Sequence, residues 1–393
     1  MRQVYLDHQS ATPVMPKVLD AMMPFLAGAF GNPSSLHQHG LRARDAVASA
    51  RAQVAGLINA DSPEEIIFTS DGTEAANLAV KGTVWANWRR GHHVVLSQIE
   101  HPSVLNSVAF LEKTGVSATR VAVNRQGRVD PEAVRAAITE ETTLVAVHLV
   151  NHDIGTIEPV REIGVIAHEK GIALYVDAEA GAGWVPIDVG GLGADLLSFS
   201  PHRFYGPKGV GVLYRHRRAR LVGILHGGDQ EGGRRAGVEN VAGIVGAGAA
   251  AALAQRDLAA RAAHCARLQR RLWEGLRSGI ARLHLNGPEP GPERSPVNLN
   301  VSAEGVEGEG VVLVGDTRGI ALASGTGCVS KSLKPSHVLE AIGVEPGLAQ
   351  AAVVLSLGKD NTDEDIDYVL ETFPKIVAKL RAMSPTWEES KQT

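Results

Sequence analysis

Cysteine is nearly missing from this chain: Cys265 and Cys328 are the only two among 393 residues. Two thiols exclude a disulfide-built scaffold and a four-cysteine zinc site. No run of about 18 apolar residues occurs, so no membrane-spanning helix is expected. The first residues, MRQVYLDHQSATP, lack the basic-then-apolar pattern of an export signal. Neither sign of charge dominates: the formal net charge is −4. No long basic stretch appears either, so neither nucleic acid nor a membrane is an expected partner. The short cluster RHRRAR, Arg215 to Arg220, reads as a solvated turn after a strand. Cytoplasm is the expected location.

What is present is ordinary globular material, 44% hydrophobic and 21% charged. The length allows one large domain and a smaller one. Short apolar runs alternate with helical patterns between about residues 50 and 250. EEIIFTS, HHVVLSQ, TTLVAVHLV, IALYVDA, ADLLSFS and GVGVLYR read as strands. They are rich in Val, Ile and Leu with little alternation, as strands buried on both faces require. The rhythm predicts a mainly parallel sheet covered by helices, an α/β class. A long helical stretch from VENVAGIVG to LWEGLRSGI leaves this domain. SPVNLNVSA, GIALASG and AAVVLSLG then predict a small α+β unit. The expected limits are 15–255 for the large domain, and 1–14 with 256–393 for the small one. Cys265 lies in the long helical pattern and reads as packing. Cys328 lies in a Gly- and Ser-rich loop, where a thiol is exposed and chemically useful.

In such sheets ligands bind beyond the carboxyl ends of the strands. The residues following each strand are polar. Gly72 and Thr73 open a helix whose free N–H groups suit an anion. His101 follows VVLSQIE. Asn151, His152 and Asp153 follow VAVHLV. Asp177 follows IALYV, and His202 and Arg203 follow LLSFS. Any one of these is also what an ordinary cap or loop would carry. Together they describe a polar pocket for an anionic ligand.

The stretches YLDHQSATP, GNPSSLH, EEIIFTSDGTEAANLAVKG, EHPSV, VNHDIGTIEP, VDAEAGAGWVPID, SFSPHRFYGPKGVGVLY, HGGDQEGGRRAGVENV and SGTGCVSKSLKPSHVLEAIG stand in one order along nearly the whole chain. In these motifs the chain resembles the cysteine desulfurases of the class V aminotransferase family, fold-type I pyridoxal-phosphate enzymes. The resemblance implies a PLP-transferase-like fold: a large domain with a mainly parallel sheet of the seven-stranded type plus a small α+β domain. It also implies a homodimer with active sites near the subunit interface. His101 matches the histidine that stacks on the pyridine ring. Asp177 matches the aspartate that keeps the ring nitrogen protonated. Gly72 and Thr73, with Ser200 and His202, match the phosphate cradle. Cys328 matches the loop nucleophile that takes sulfur from the substrate as a persulfide.

The departures fall in the same pocket. Arg203 stands where the family keeps its Schiff-base lysine, and a guanidinium that stays protonated makes no imine at neutral pH. His152 replaces an asparagine, and Ala180 replaces a glutamine near the cofactor's phenolic oxygen. Val238 aligns with a phosphate-binding threonine of the second subunit. Val354 aligns with the arginine that clamps the substrate carboxylate, a bidentate role valine cannot take. Lys208, Lys331 and Lys334 read as a structural turn residue and two surface residues rather than substitutes for the missing amine.

Several readings stay open. In the first, the chain does not run lysine-dependent desulfuration. It acts in sulfur transfer or iron–sulfur assembly through Cys328, which accepts a persulfide or ligates an iron–sulfur cluster. A sulfur-carrier or iron–sulfur scaffold protein would then be its partner. In the second, His101, His152, Asp177, Glu179 and His202 perform new acid–base chemistry in the old pocket, or a histidine serves as base for pyridoxal phosphate held without a covalent link. Within that reading His152 and Glu179 are metal-ligand candidates, although His148 and His152 are spaced across a strand end rather than along a helix. In the third, the protein is a non-catalytic partner of a true desulfurase. In the fourth, it is a working desulfurase with unusual residues.

Overall fold

A computed structural model describes residues 2–325, 335–384 and 387. Its centre is a seven-stranded sheet. The strands lie in the order Ile66–Thr69, Gly211–Arg215, Leu196–Phe199, Ala173–Asp177, Thr142–His148, His93–Ser97 and Ser117–Val121. Only Gly211–Arg215 runs antiparallel to its neighbours. All six apolar runs are strands, and the inner ones are buried along their length, as their uninterrupted Val, Ile and Leu content demands. The seventh, Ser117–Val121, was not among the expected strands. It is an edge strand with four of its five residues at least partly exposed, so its sequence SATRV carries no buried signature.

Helices cover both faces. Val95, Val145, Val147, Leu174 and Phe199 belong to one hydrophobic layer. Val94, Leu96, Leu144, Tyr175 and Leu213 belong to the other, with Ala75, Ala79 and Val80 of the helix Gly72–Ala86. Alternate residues of one strand thus feed opposite layers.

A second, four-stranded antiparallel sheet has the order Ala323–Ser324, Ala352–Ser356, Asn298–Ala303, Leu283–Leu285. Beside it Val4–Tyr5 pairs in parallel with Ile320–Ala321, so the start of the chain joins its last third. The helix Val241–Gly279 links the two regions without a break. Its Ala- and Gly-rich first half packs on the helices Gln38–Leu57 and Pro16–Leu26. Its second half sends Cys265, Leu268, Leu272 and Leu276 into the core around the small sheet. Residue 255, the expected end of the large domain, lies inside it. Burial pushes the Cys265 thiol up to about 12, which leaves it a packing group. Among the described residues no helix is long and apolar enough to cross a membrane.

Candidate functional site

The carboxyl ends of the parallel strands meet at one edge of the large sheet. After Ile66–Thr69 the chain turns through Asp71 into the helix Gly72–Ala86. Asp71 Oδ1 accepts from Glu74 N at 2.7 Å, and Glu74 Oε2 accepts from Ser70 N at 2.7 Å. This reciprocal cap satisfies two backbone donors and fixes the helix start. Arg235 Nε holds the Glu74 carboxylate at 2.9 Å, which keeps its pKa below the usual carboxylate range against the opposing pull of burial.

Asp177 ends the strand Ala173–Asp177, in register with His148 on one side and Ser198 on the other. It is buried, and burial raises its pKa while His101 works against the rise. Its Oδ1 accepts from Glu179 N at 2.9 Å. That bond folds the chain back and sends the Glu179 side chain toward the helix start. Ser200 Oγ donates to Glu179 Oε1 at 2.8 Å. A methyl group built on Gly72 would fall 1.6 Å from that same oxygen and 3.0 Å from Ser200 Oγ. The Glu179 carboxyl therefore fills the space between Gly72 and Ser200, and only glycine leaves room for it.

Arg203 closes the turn Pro201–Arg203 after the strand Leu196–Phe199. Its Nε lies 3.8 Å from Glu179 Oε2, an ion pair too long for a hydrogen bond. That buried Nε has no hydrogen-bond partner among the described residues. Its carbonyl accepts from Trp184 Nε1 at 3.0 Å. Burial pushes Glu179 up to about 7, and Arg203 opposes part of that rise. His202 is partly buried. Burial, then Arg203 and Lys208, pull its pKa down to about 4, so the ring is neutral near pH 7. Its carbonyl is fixed by Thr12, which donates through N at 2.9 Å and through Oγ1 at 2.8 Å.

Three imidazoles lie along the other side. His101 caps the helix Pro102–Glu112, with Nδ1 accepting from Ser103 N at 3.1 Å. His152 meets His101 edge-on at 5.1 Å between ring centroids, and His337 lies 6.1 Å beyond. The turn that carries His152 is set by Asn151, whose Oδ1 accepts from Asp153 N and Ile154 N. Burial drives the His152 pKa well down, and its basic neighbours add to the effect.

The strand-end residues expected from the sequence do converge, but unevenly. Gly72, Ser200, Glu179 and Arg203 form one group. His101, Asp177 and His152 form the other. Thr73 is exposed on the first helical turn. Val354 is buried in the strand Ala352–Ser356, opposite Asn300 and Ala323, and Val238 is exposed. Lys208 is exposed, while Cys328, Lys331 and Lys334 lie outside the described residues. The two metal-ligand candidates fall in different groups: Glu179 turns toward Gly72 and Ser200, while His152 packs between two imidazoles. Among the described residues no group of three or more His, Cys, Asp or Glu side chains is placed to hold a metal ion.

Sequence reasoning missed His337 and the buried carboxylates Glu100 and Glu158. The PSHVL stretch and the EH pair carried the only available signal.

As placed, these residues do not fit a pyridoxal phosphate. An arginine side chain offers no amine for the aldehyde, and the Glu179 carboxyl already stands between Gly72 and Ser200. A small cleft beside them is bounded by His8, Gln9, Glu179, Trp184 and Arg203.

The sequence matches the family described as aminotransferase class-V over residues 4–369. It is 45% identical to a cysteine desulfurase IscS of Clostridium botulinum over 99% of this chain and 98% of that protein. It is 44% identical to a cysteine desulfurase IscS of Methanosarcina thermophila over 98% of this chain and 94% of that one. Among solved structures, a NifS-like protein superposes with a TM-score of 0.90 at 34% identity, covering 96% of this chain and all of the other. The apo structure of a cysteine desulfurase from Thermococcus onnurineus superposes with a TM-score of 0.86 at 26% identity, over 96% and 95% of the two chains. In fold and in sequence, the chain belongs to the class-V aminotransferase family, among relatives named as cysteine desulfurases.

Proposed function

We propose that this protein is a cysteine desulfurase-like sulfur carrier that does not release sulfur from cysteine by the lysine-dependent route. The observation that carries the reading is Arg203 at the lysine position, ion-paired with Glu179 at 3.8 Å. A guanidinium holds its proton far above neutral pH and cannot be the attacking amine. The absence of arginine near Val354 supports it further, because a substrate carboxylate loses its clamp.

Sulfur then enters through Cys328. Its thiolate attacks the outer sulfur of a partner's persulfide. A new S–S bond forms at Cys328, the partner's S–S bond breaks, and the partner leaves as a thiolate. Electrons balance without an oxidant. The partner is a sulfur-carrier or iron–sulfur scaffold protein in the cytoplasm, with an iron–sulfur cluster bridged through Cys328 as the variant of the same idea. The working unit is a homodimer. The exposed apolar side chains Leu19, Met23 and Leu26 of the helix Pro16–Leu26, with Phe30 and Leu36 after it, support this.

The test has two parts. Purified protein is mixed with pyridoxal phosphate, reduced with borohydride and weighed intact. No lysine adduct is expected. Then a low-molecular-weight persulfide is added and Cys328 is assayed for a sulfane sulfur, which Cys328→Ser should lose. An adduct on a lysine together with sulfide release from cysteine would return the protein to ordinary desulfurase chemistry.

A second reading rests on the His101–His152–His337 row beside Asp177. Burial lowers the pKa of His101 and of His152, and imidazoles of that kind next to a buried carboxylate suit acid–base work. In that case His152→Asn abolishes turnover of the substrate, and Cys328→Ser does not.

A further inference from the structure

The phosphate end of a pyridoxal site is an anion hole: a helix start, a hydroxyl and a small residue against which the phosphate rests. In this chain the helix start at Gly72 and the hydroxyl of Ser200 are both present, and both face the carboxyl of Glu179. Two contacts hold that carboxyl in place, and the backbone of Gly72 bounds it. Ser200 Oγ donates to Oε1 at 2.8 Å. The Gly72 backbone lies so close that an added methyl group would stand 1.6 Å from Oε1. Arg203 supplies the counter-charge from the side where the family's lysine would stand, at 3.8 Å. The Glu179 backbone is fixed in turn by Asp177 Oδ1 at 2.9 Å.

We infer that Glu179 is a built-in occupant of the anion cradle, taking the place of a phosphate monoester, with Arg203 as its counter-ion. The substitutions at 179 and 203 then act as a pair. Arginine in place of the lysine removes the aldehyde's partner and supplies the charge that a buried carboxyl needs. Glutamate at 179 fills the space a phosphate would otherwise occupy and repels any anion that approaches. The outcome is a fold whose former cofactor site is closed by its own side chains. Restoring the lysine alone therefore does not restore the cofactor. The inference shares with the proposed function only the place of Arg203 at the lysine position, and it fails separately, since Cys328 can exchange sulfur whether the cradle is filled or empty.

The experiment uses the full-length protein as wild type, Arg203→Lys, Glu179→Ala and the Glu179→Ala/Arg203→Lys double variant. Inorganic phosphate is the first probe, followed by calorimetry. Glu179→Ala is expected to bind it at least tenfold more tightly than wild type. Pyridoxal phosphate with borohydride and peptide mass analysis is the second probe. The double variant is expected to carry the phosphopyridoxyl group on residue 203, and Arg203→Lys alone to carry less than a tenth as much. Equal labelling of Arg203→Lys and the double variant overturns the inference, as does equal phosphate affinity in wild type and Glu179→Ala. A measurement without ligand guards against a variant that folds poorly. Gly72→Ala is expected to lower the urea midpoint clearly in wild type and much less in the Glu179→Ala background, because the clashing oxygen is then gone. An equal drop in both backgrounds overturns the inference.

Discussion

His148 and Glu100 form a buried ion pair, with imidazole Nδ1 2.7 Å from Glu100 Oε1. The other ring nitrogen lies 3.3 Å from Glu158 Oε1. Ser97 Oγ donates to Glu100 at 2.6 Å, and Val129 N donates to Glu158 at 2.8 Å. Burial favours the neutral ring, but the two carboxylates outweigh it and hold the pKa at about 10. This pair lies directly behind the strand ends that carry His152 and Asp177, and it ties Glu100, next to His101, to the strand Thr142–His148.

The folded pKa of His148 stands above its ordinary value of 6.5. Its contribution to stability is therefore complete below about pH 6.5 and is lost as pH rises toward 10. The urea midpoint of wild type should fall between pH 7 and pH 10. In His148→Leu this pH slope should flatten. At pH 7 that variant should lose about 3–5 kcal/mol, because two buried carboxylates are left without their cation. Equilibrium unfolding at the two pH values decides it; parallel profiles for the two proteins would refute the pairing.

Glu179 gives a slope over a different range. Its folded pKa is raised from 4.5 to about 7, with Arg203, Asp177 and Asp71 as its charged neighbours. An acid raised in this way holds its proton more tightly when folded, so its contribution is greatest below about pH 4.5 and is lost as pH climbs to 7. Glu179→Gln should gain on wild type by about 1–3 kcal/mol between pH 5 and pH 8. Denaturation curves of both proteins at those two pH values check the sign. A gap that narrows with rising pH contradicts it.

Arg294 is fully buried and donates to the carbonyls of Pro288, Asn286 and Asn298. Burial pushes its pKa down to about 9, with Glu289 working against the fall. It acts as a donor fork that ties the loop before the strand Asn298–Ala303 to that strand. Arg294→Met should cost about 2–4 kcal/mol, since several buried acceptors lose their donor at once. A midpoint within about 0.5 kcal/mol of wild type would show that water replaces the fork.

Phe30 and Leu36 are 76% and 87% exposed, and Leu19, Met23 and Leu26 of the preceding helix Pro16–Leu26 are exposed as well. Charges placed there, Phe30→Asp with Leu36→Asp, should weaken self-association at least a hundredfold while leaving the circular dichroism unchanged. Sedimentation velocity across a dilution series measures this. An unchanged sedimentation coefficient would place any dimer contact elsewhere.

The buried strands were legible because both of their faces are apolar, and the site was legible as the polar residues that end those strands. Ser117–Val121 and Val4–Tyr5 were not, since an exposed edge and a two-residue pairing leave no periodic mark. The destination of Glu179 was equally hidden. Its identity was visible two positions after Asp177, but the backbone bond from Glu179 N to Asp177 that turns its carboxyl toward Gly72 is a tertiary event. His337 joins the histidine row only because its helix, His337–Ala341, packs near the turn at His152. No local pattern announces a contact between residues so far apart in the chain.

The helix Val241–Gly279 runs 39 residues without interruption, about 58 Å at the usual rise. One end is seated among Ala50 and Val54 in the large core, the other among Leu299 and Phe373 in the small one. A rod clamped at both ends leaves little freedom for a hinge along its own length. Relative motion of the two cores would have to be taken up by the shorter crossing at Asp7 to Met15, between the strand Val4–Tyr5 and the helix Pro16–Leu26. Loosening either clamp should therefore reach the strand ends as a change in tilt, felt at Gly183, whose carbonyl meets Arg261 of the same helix.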